Sequence, residues 1–412
     1  MYRFILKNYN LKFIMSIRVI LGITGSIAAY KAIDLAKILC RSSCDVRIVL
    51  SKTAHNFVSI LTLKSLFPKK VYEYSDTIEN GEMLHISLAK TSDVVLIAPA
   101  SANTISKLAN GVADCLLSTL CLASRSAIVC VPAMNEGMWK NAFVQRNVEI
   151  LQKNGVHILG PVDGEQACGS TGIGRMADIS DIASYIIQLQ TPKLLLSKKV
   201  VITAGPTREK IDPVRFLSNY SSGKMGYAIA EVARNMGADV TLISGVTSLN
   251  TPLGINFISV DSASDMLNAV DKEVHKADIY IGVAAVSDYK PESYSAQKIK
   301  KQDNTDVMKL NLEKNVDIIR YIKEKYPKIF CVGFAAETND FEKYGLQKIK
   351  SKHLDVVAIN DVSDNKVFNS DCNEILLLTK NGQSFHIPHA TKDIVAAALL
   401  KYISALSEFS AP

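Results

Sequence analysis

From residue 17 onward the chain alternates short β-branched runs with amphipathic helical stretches, and that alternation leaves few folds open. Residues 17–22, 46–50, 94–98 and 127–131 read as strands, and 27–40 as a helix. Strands separated by helices pair in parallel through crossovers, and the resulting sheet is covered by helices on its faces. The pattern restarts after Thr191-Pro192, with strands at 199–203 and 240–244 flanking a helix at 227–236 that stops at Gly237. This predicts two tandem Rossmann-like three-layer α/β domains with mainly parallel sheets, at 17–190 and 198–412. The joining residues, 191–197, hold the proline that ends the preceding helix. A chain of 412 residues suits two separate cores.

The remaining composition narrows the class. Arg3, Lys7 and Lys12 stand among asparagines that interrupt any signal-peptide core, so 1–16 is expected to be disordered or to be a mis-assigned start ahead of Met15. The sequence holds no uncharged apolar stretch of membrane-spanning length, and no membrane association is expected. A net charge of +7, with Lys and Arg spread along the chain, favours acidic small molecules over nucleic acid. Eight cysteines without a C-x-x-C pair, most within apolar runs, fit a reducing, cytoplasmic setting.

In parallel α/β sheets the ligand crevice lies beyond the carboxyl ends of the strands. Residues directly after strands are therefore the first candidates: Gly25 and Ser26, Ser51, the PASANT run at 99–104, and PAMN at 132–135. GITGS at 22–26 opens into a helix, where backbone amides and a hydroxyl suit a phosphate. An ordinary capped helix has the same signature. The third glycine of a dinucleotide fingerprint is missing, and Leu50-Ser51 stands where that motif has an acidic residue, so a mononucleotide fits better than NAD.

Three further motifs, GEMLHI at 81–86, PAMN at 132–135 and QACGSTGIGRM at 166–176, resemble the flavin-dependent cysteine decarboxylases. With the second half, the resemblance extends to the bifunctional phosphopantothenoylcysteine decarboxylase/phosphopantothenate-cysteine ligases of bacteria and covers nearly all of the chain from residue 17. It implies a flavodoxin-like first domain binding FMN. Loss of CO2 from an amino acid-like carboxylate leaves a carbanion that needs an electron sink, and no side chain provides one. In the family the cysteinyl thiol is oxidised to a thioaldehyde before CO2 leaves, and the product enethiol is then reduced. The resemblance assigns His85 as base of the oxidative half, Asn135 to the substrate carboxylate, and Cys168 as proton donor of the reductive half. A thiol of pKa about 8.5 is mostly protonated at neutral pH and able to donate. Of these, Asn135 would equally serve as a helix cap, and His85 alone would pass for a surface or core histidine. The FMN pocket carried over comprises Gly25, Ser26, Ser51, Ser101, Asn103, Thr104 and Thr119. An acidic residue and a proline are commoner at positions 170 and 173, where this chain has Ser170 and Ile173.

In the second half, TAGPTRE at 203–209 and RFLSNYSSGKMG at 215–226 resemble the ligase signature. Gly223-Lys224 is not a Walker A motif, because the earlier glycine is absent. The resemblance implies activation of 4'-phosphopantothenate by CTP with Mg2+, an acyl-cytidylate, and displacement of CMP by the cysteine amine. It assigns Asn219 to the acyl-cytidylate and Lys298, in the basic KIKK run at 298–301, to the triphosphate. IGVAAVSD at 281–288 reads as a buried strand ending in a carboxylate, and the resemblance places Asp288 at the CTP site on ribose, base or metal. The resemblance also makes Asn315, Val316, Asp317 and Ile318 a nucleotide contact, with valine where proline is usual. The resemblance sets Phe334 against the nucleotide, and Lys348 and Lys352, four residues apart on an expected helix, can both reach one side of it. Taken alone, the lysine runs would read as solvated surface. Metal ligands stay unassigned.

Two other functions fit parts of the sequence. A flavin-binding regulatory protein of the same superfamily would be expected to lack one of His85, Asn135 and Cys168, and all three are here. A nicotinamide-dependent dehydrogenase would need the acidic residue missing after Leu50. The resemblance also implies a homo-oligomer, with flavin-domain trimers and ligase-domain dimers combining into a dodecamer.

Overall fold

The computed structural model describes residues 17–79, 81–167, 169, 171–300, 308–337, 341–361 and 370–406. It separates into two compact units that meet between Gln190 and Thr191. Cys168 lies outside the described residues, as do 1–16.

The first unit is built on six strands: β1 (Arg18–Ile23), β2 (Asp45–Leu50), β3 (Val71–Tyr72), β4 (Val94–Ala100), β5 (Ala127–Pro132) and β6 (His157–Ile158). They pair in parallel in the order β3-β2-β1-β4-β5-β6. Successive strand residues point to opposite faces, so the apolar strands divide between two cores. Val19, Leu21 and Ile23 of β1, with Val94 and Leu96 of β4, pack beneath helices Lys31–Arg41 and Ile179–Gln190. Ile20, Val95 and Ile97 face the other way, onto helices Leu84–Thr91, Ala102–Ala109, Leu116–Ala123 and Ala142–Lys153. Gly22 keeps this second face closed, since a Cβ there would lie 2.7 Å from Leu117 Cδ1.

The main sheet of the second unit has eight strands: β7 (Lys199–Ala204), β8 (Asp239–Ser244), β9 (Asn256–Ser259), β10 (Ile279–Gly282), β11 (Phe330–Glu337), β12 (Val356–Asp361), β13 (Cys372–Thr379) and β14 (Ser384–Thr391). The order is β9-β8-β7-β10-β11-β12-β13-β14, parallel as far as β12 and antiparallel for the last two. Helices Lys224–Asn235 and Lys392–Ser404 cover one face, and Ala263–Val274, Ile318–Lys325 and Phe341–Lys352 the other. The α/β class, three layers and mainly parallel sheets predicted from the sequence are all present.

Two local expectations need revision. Residues 27–40 are a 3-10 turn, Ile27–Tyr30, running into the α-helix Lys31–Arg41. The strand expected over 281–288 ends at Gly282; beyond it the chain leaves the sheet to pair with the loop after β7. Residues 191–197 pack on the second unit: Leu195 is buried in its core and Lys193 Nζ donates to Asn235 O at 2.8 Å.

Candidate active sites

In each unit the chain turns back beside its first strand, creating a crevice beyond the carboxyl ends of two neighbouring strands. In the first unit these are β1 and β4, and Thr24 joins them. Its buried hydroxyl donates to Pro99 O at 2.7 Å and accepts from Ser101 N at 2.9 Å. Ser26 caps the turn that follows and donates to Ala133 O at 3.1 Å, linking β1 to the loop after β5. Ser51 and Thr53 hydroxyls stand 3.4 Å apart after β2. A Cβ on Gly25 would lie 2.4 Å from Thr53 Oγ1, so only glycine lets these two loops close together. Ser101 caps helix Ala102–Ala109 and stands 3.1 Å from Thr104 Oγ1, with Asn103 exposed between them. Thr119 sits one helix away and bonds back to Cys115 O. The cradle thus offers hydroxyls and helix-terminal amides at the mouth of the crevice, the donor set that a flavin mononucleotide's phosphate and ribityl chain require.

Asn135 is exposed and caps the short helix Glu136–Trp139, its Oδ1 accepting from Gly137 N at 2.9 Å. Its amide nitrogen donates to Gln166 Oε1 at 3.3 Å, and Gln166 Oε1 also accepts from Glu136 N at 3.2 Å. Gln166 belongs to a hairpin closed by bridges between Val162 and Arg175 and between Glu165 and Thr171. Met134 N donates to Gly174 O at 3.0 Å, so the hairpin is fastened to the Asn135 loop at two places. His85 stands half-buried in the first turn of helix Leu84–Thr91, and no hydrogen bond among the described residues joins it to Asn135. The Cys168 assignment falls outside the described residues. Thr24 and Gln166 were given no role in the sequence, although Thr24 directly follows a strand and Gln166 opens the QACG motif.

In the second unit the crevice lies between β7 and β10. Their trailing loops pair: Ala285 N donates to Gly205 O at 2.9 Å, Thr207 N to Ala285 O at 3.3 Å, and Ser287 N to Thr207 Oγ1 at 3.0 Å. Asn219 comes off a hairpin formed by Arg208–Lys210 and Phe216–Ser218. Its Nδ2 donates to Ala285 O at 3.4 Å and Val286 O at 3.1 Å. Asn315 bonds the same strip, its Nδ2 to Ser287 O at 2.9 Å and its N to Asp288 O at 2.8 Å, leaving the Asp288 carboxylate exposed. Asp317 caps helix Ile318–Lys325 and pairs with Lys352 Nζ at 2.8 Å, which brings the end of helix Phe341–Lys352 to the 315–318 segment. Val316 is exposed, while the Ile318 side chain is buried and can offer a ligand only backbone. Gly223, at φ +76, opens the twelve-residue helix Lys224–Asn235 behind Ser221 and Ser222. Lys298 is exposed, and Phe334 and Lys348 are half-buried; no hydrogen bond among the described residues ties these three to Asn219.

Two parallel-sheet units, each with hydroxyl and amide groups gathered beyond its central strands, define a two-site α/β enzyme of the phosphate- and nucleotide-binding class. Comparison with known proteins makes this specific. The flavoprotein family model matches residues 10–191, and the model for the DNA/pantothenate metabolism flavoprotein C-terminal domain matches 195–406. The coenzyme A biosynthesis bifunctional protein CoaBC of Vibrio vulnificus (strain CMCP6) is 43% identical over 394 residues, covering 94% of this chain and 98% of the relative. The CoaBC of Bacillus subtilis (strain 168) is 41% identical, covering 95% and 97%, and that of Escherichia coli (strain K12) is 40% identical, covering 94% and 96%. The chain belongs to the CoaBC family of bifunctional decarboxylase and ligase enzymes of coenzyme A biosynthesis. No helix among the described residues is long and apolar enough to cross a membrane.

Proposed function

We propose that the second unit ligates cysteine to 4'-phosphopantothenate with CTP and Mg2+, and that the first decarboxylates the resulting 4'-phosphopantothenoylcysteine with FMN, in the cytoplasm. The residue assignments rest on the joining of Asn135 to Gln166, which sets the substrate-carboxylate candidate beside the hairpin of the cysteine motif.

In the ligase site the carboxylate attacks the α-phosphorus of CTP, pyrophosphate leaves, and the cysteine amine then displaces CMP. Fixed positive charge from Lys298, Lys348 and Lys352 suits the triphosphate, and Mg2+, when bound, would supply further charge neutralisation there. Asn219 has a definite amide orientation, because its nitrogen faces two carbonyl oxygens. Its Oδ1 is then the atom that accepts a hydrogen bond from the attacking amine. Asp288 and the 315–318 segment hold the nucleoside side, and Phe334 its apolar face.

In the decarboxylase site the flavin, when bound, supplies the electron sink. Gly25, Ser26, Ser51, Ser101, Asn103, Thr104 and Thr119 hold it, Asn135 orients the substrate carboxylate through its amide nitrogen, His85 takes a proton and Cys168 returns one. The protein is also read as a homo-oligomer, on the family it belongs to.

The test is incubation with 4'-phosphopantothenate, cysteine, Mg2+ and either CTP or ATP, following pyrophosphate and CO2 separately. CTP-dependent pyrophosphate followed by CO2 is expected, with yellow flavin absorbance in the purified protein. Cys168→Ser should release CO2 yet stall before the reduced product. Normal product formation by that variant would remove Cys168 from the proton-donor role. Asn219→Asp should block ligation, since a carboxylate would face the Ala285 and Val286 carbonyls, while sparing decarboxylation of supplied intermediate.

A further inference from the structure

Asp212 is 2% exposed, and its carboxylate takes hydrogen bonds from five donors. A buried carboxylate is costly unless its oxygens are satisfied. Four of the donors are local: Val214 N and Arg215 N at 2.8 Å each, with Arg215 Nε at 3.0 Å and Nη2 at 2.5 Å. These account for the tight turn over 212–215. The fifth is Ile299 N at 3.2 Å, far along the chain and next to Lys298. Arg215 Nη2 returns to Ile299 O at 3.1 Å, so one Asp–Arg pair holds both backbone groups of Ile299. Ser295 N donates to Ile211 O at 3.0 Å, a further tie between the same two segments. On its other side Arg215 leads directly through Phe216–Ser218 to Asn219. The Arg215 guanidinium and the surrounding amides hold the Asp212 carboxyl far below the usual carboxylate range.

We propose that Asp212, through Arg215, is a positioning residue of the ligase reaction: it fixes Lys298 relative to Asn219 by clamping the backbone of Ile299. This rests on the reading of Lys298 and Asn219 as ligase residues. Asp212 itself touches neither reactant. Its effect is exerted on where an ammonium stands when CTP arrives, and misplacement by about 1 Å costs roughly 100-fold in rate.

The test uses the full chain and two variants. Asp212→Asn keeps an acceptor for the local amides but sets a donor against Ile299 N or Arg215. Ile299→Pro removes the clamped N–H and leaves the Asp212–Arg215 pair in place. Both should lower kcat for CTP-dependent pyrophosphate release roughly 10- to 100-fold and raise the KM for CTP. Tryptic cleavage after Lys300 should accelerate in both variants, and after Lys298 in Asp212→Asn alone, because trypsin does not cut ahead of the proline in Ile299→Pro; decarboxylation of supplied intermediate should stay at the wild-type rate. The double variant should be no worse than either single one, because both remove the same contact. If Asp212→Asn unfolds the second unit, Ile299→Pro alone decides. Wild-type kinetics and wild-type trypsin resistance in Ile299→Pro would overturn the proposal. Absence of CTP-dependent pyrophosphate from the wild-type protein would instead overturn the ligase reading, while the trypsin comparison would still report on the clamp.

Discussion

Gln166 accepts a hydrogen bond from the Asn135 amide across 3.3 Å and donates to Gly172 O at the same distance, so one side chain spans the Asn135 loop and the far arm of the hairpin. Gln166→Leu keeps the volume and removes these two bonds together with the one from Glu136 N. At about 1 kcal/mol each, the loss should lower kcat/KM for decarboxylation by roughly 10-fold or more. Gln166→Glu should be worse, because it puts a negative charge beside Asn135, the residue proposed to receive the substrate carboxylate. Ligation and flavin absorbance should be unchanged in both. Unaltered decarboxylation kinetics in Gln166→Leu would show that Asn135 is held by its helix cap alone.

Thr24 links the loops of β1 and β4 through a hydroxyl that both donates and accepts. Thr24→Val is close in shape but leaves Pro99 O and Ser101 N without their partner, which should cost about 1–3 kcal/mol. Thr24→Ser should recover most of it. The sole tryptophan, Trp139, lies in the first unit, so urea unfolding followed by its fluorescence reads this unit separately. FMN titration should show weaker binding by Thr24→Val than by Thr24→Ser. Equal unfolding midpoints for the two variants would contradict the link.

Why the fold was legible and parts of the sites were not follows from the range of the interactions. Strands such as Val94–Ala100 announce themselves by continuous apolar runs, because both faces of a parallel sheet are buried. Ser101 and Asn135 were readable as residues that directly follow strands. Gln166 and Asp212 were not, because what makes them matter is a partner distant in sequence, Asn135 in one case and Ile299 in the other. The strand expected to run to Asp288 failed for a related reason. Val283, Ala284 and Ala285 are apolar enough for a strand, yet their backbone pairs with Thr203, Gly205 and Thr207 where the loops leave the sheet.

Arg18 and Asp93 tie the amino ends of β1 and β4 together with bonds of 2.8 Å from Arg18 N, 3.0 Å from Nε and 2.7 Å from Nη2. Bonding to Arg18 holds the Asp93 carboxyl below its ordinary value. A carboxyl whose pKa is depressed by folding stabilises the folded state above its unfolded pKa, about 4, and loses that contribution as pH falls through the folded value. Both side chains are partly exposed, so about 1 kcal/mol is expected at neutral pH and less in high salt. Asp93→Asn should therefore unfold at lower urea than wild type at pH 7, with the gap narrowing below about pH 4. A gap that stays constant down to pH 2 would assign the loss to packing instead of charge.

Gly174 offers the sharpest separation of the two activities. A Cβ there would lie 2.3 Å from Met134 O and 3.3 Å from Glu136 N, and backbone cannot rotate away as a side chain would. Gly174→Ala must push the hairpin off the Asn135 loop and break the bond from Met134 N to Gly174 O. Overpacking of this kind costs about 1–3 kcal/mol, borne by the hairpin and not by the sheet, so the unit should still fold. Gly111→Ala is the control: a Cβ there meets nothing within 4 Å, and its φ of +67 confines the cost to local backbone strain. Gly174→Ala should lose decarboxylation by roughly 10-fold or more while ligation continues and flavin stays bound. Gly111→Ala should keep both activities. Wild-type CO2 release from Gly174→Ala would mean that the hairpin's seat on Met134 and Glu136 is not needed for the decarboxylase chemistry.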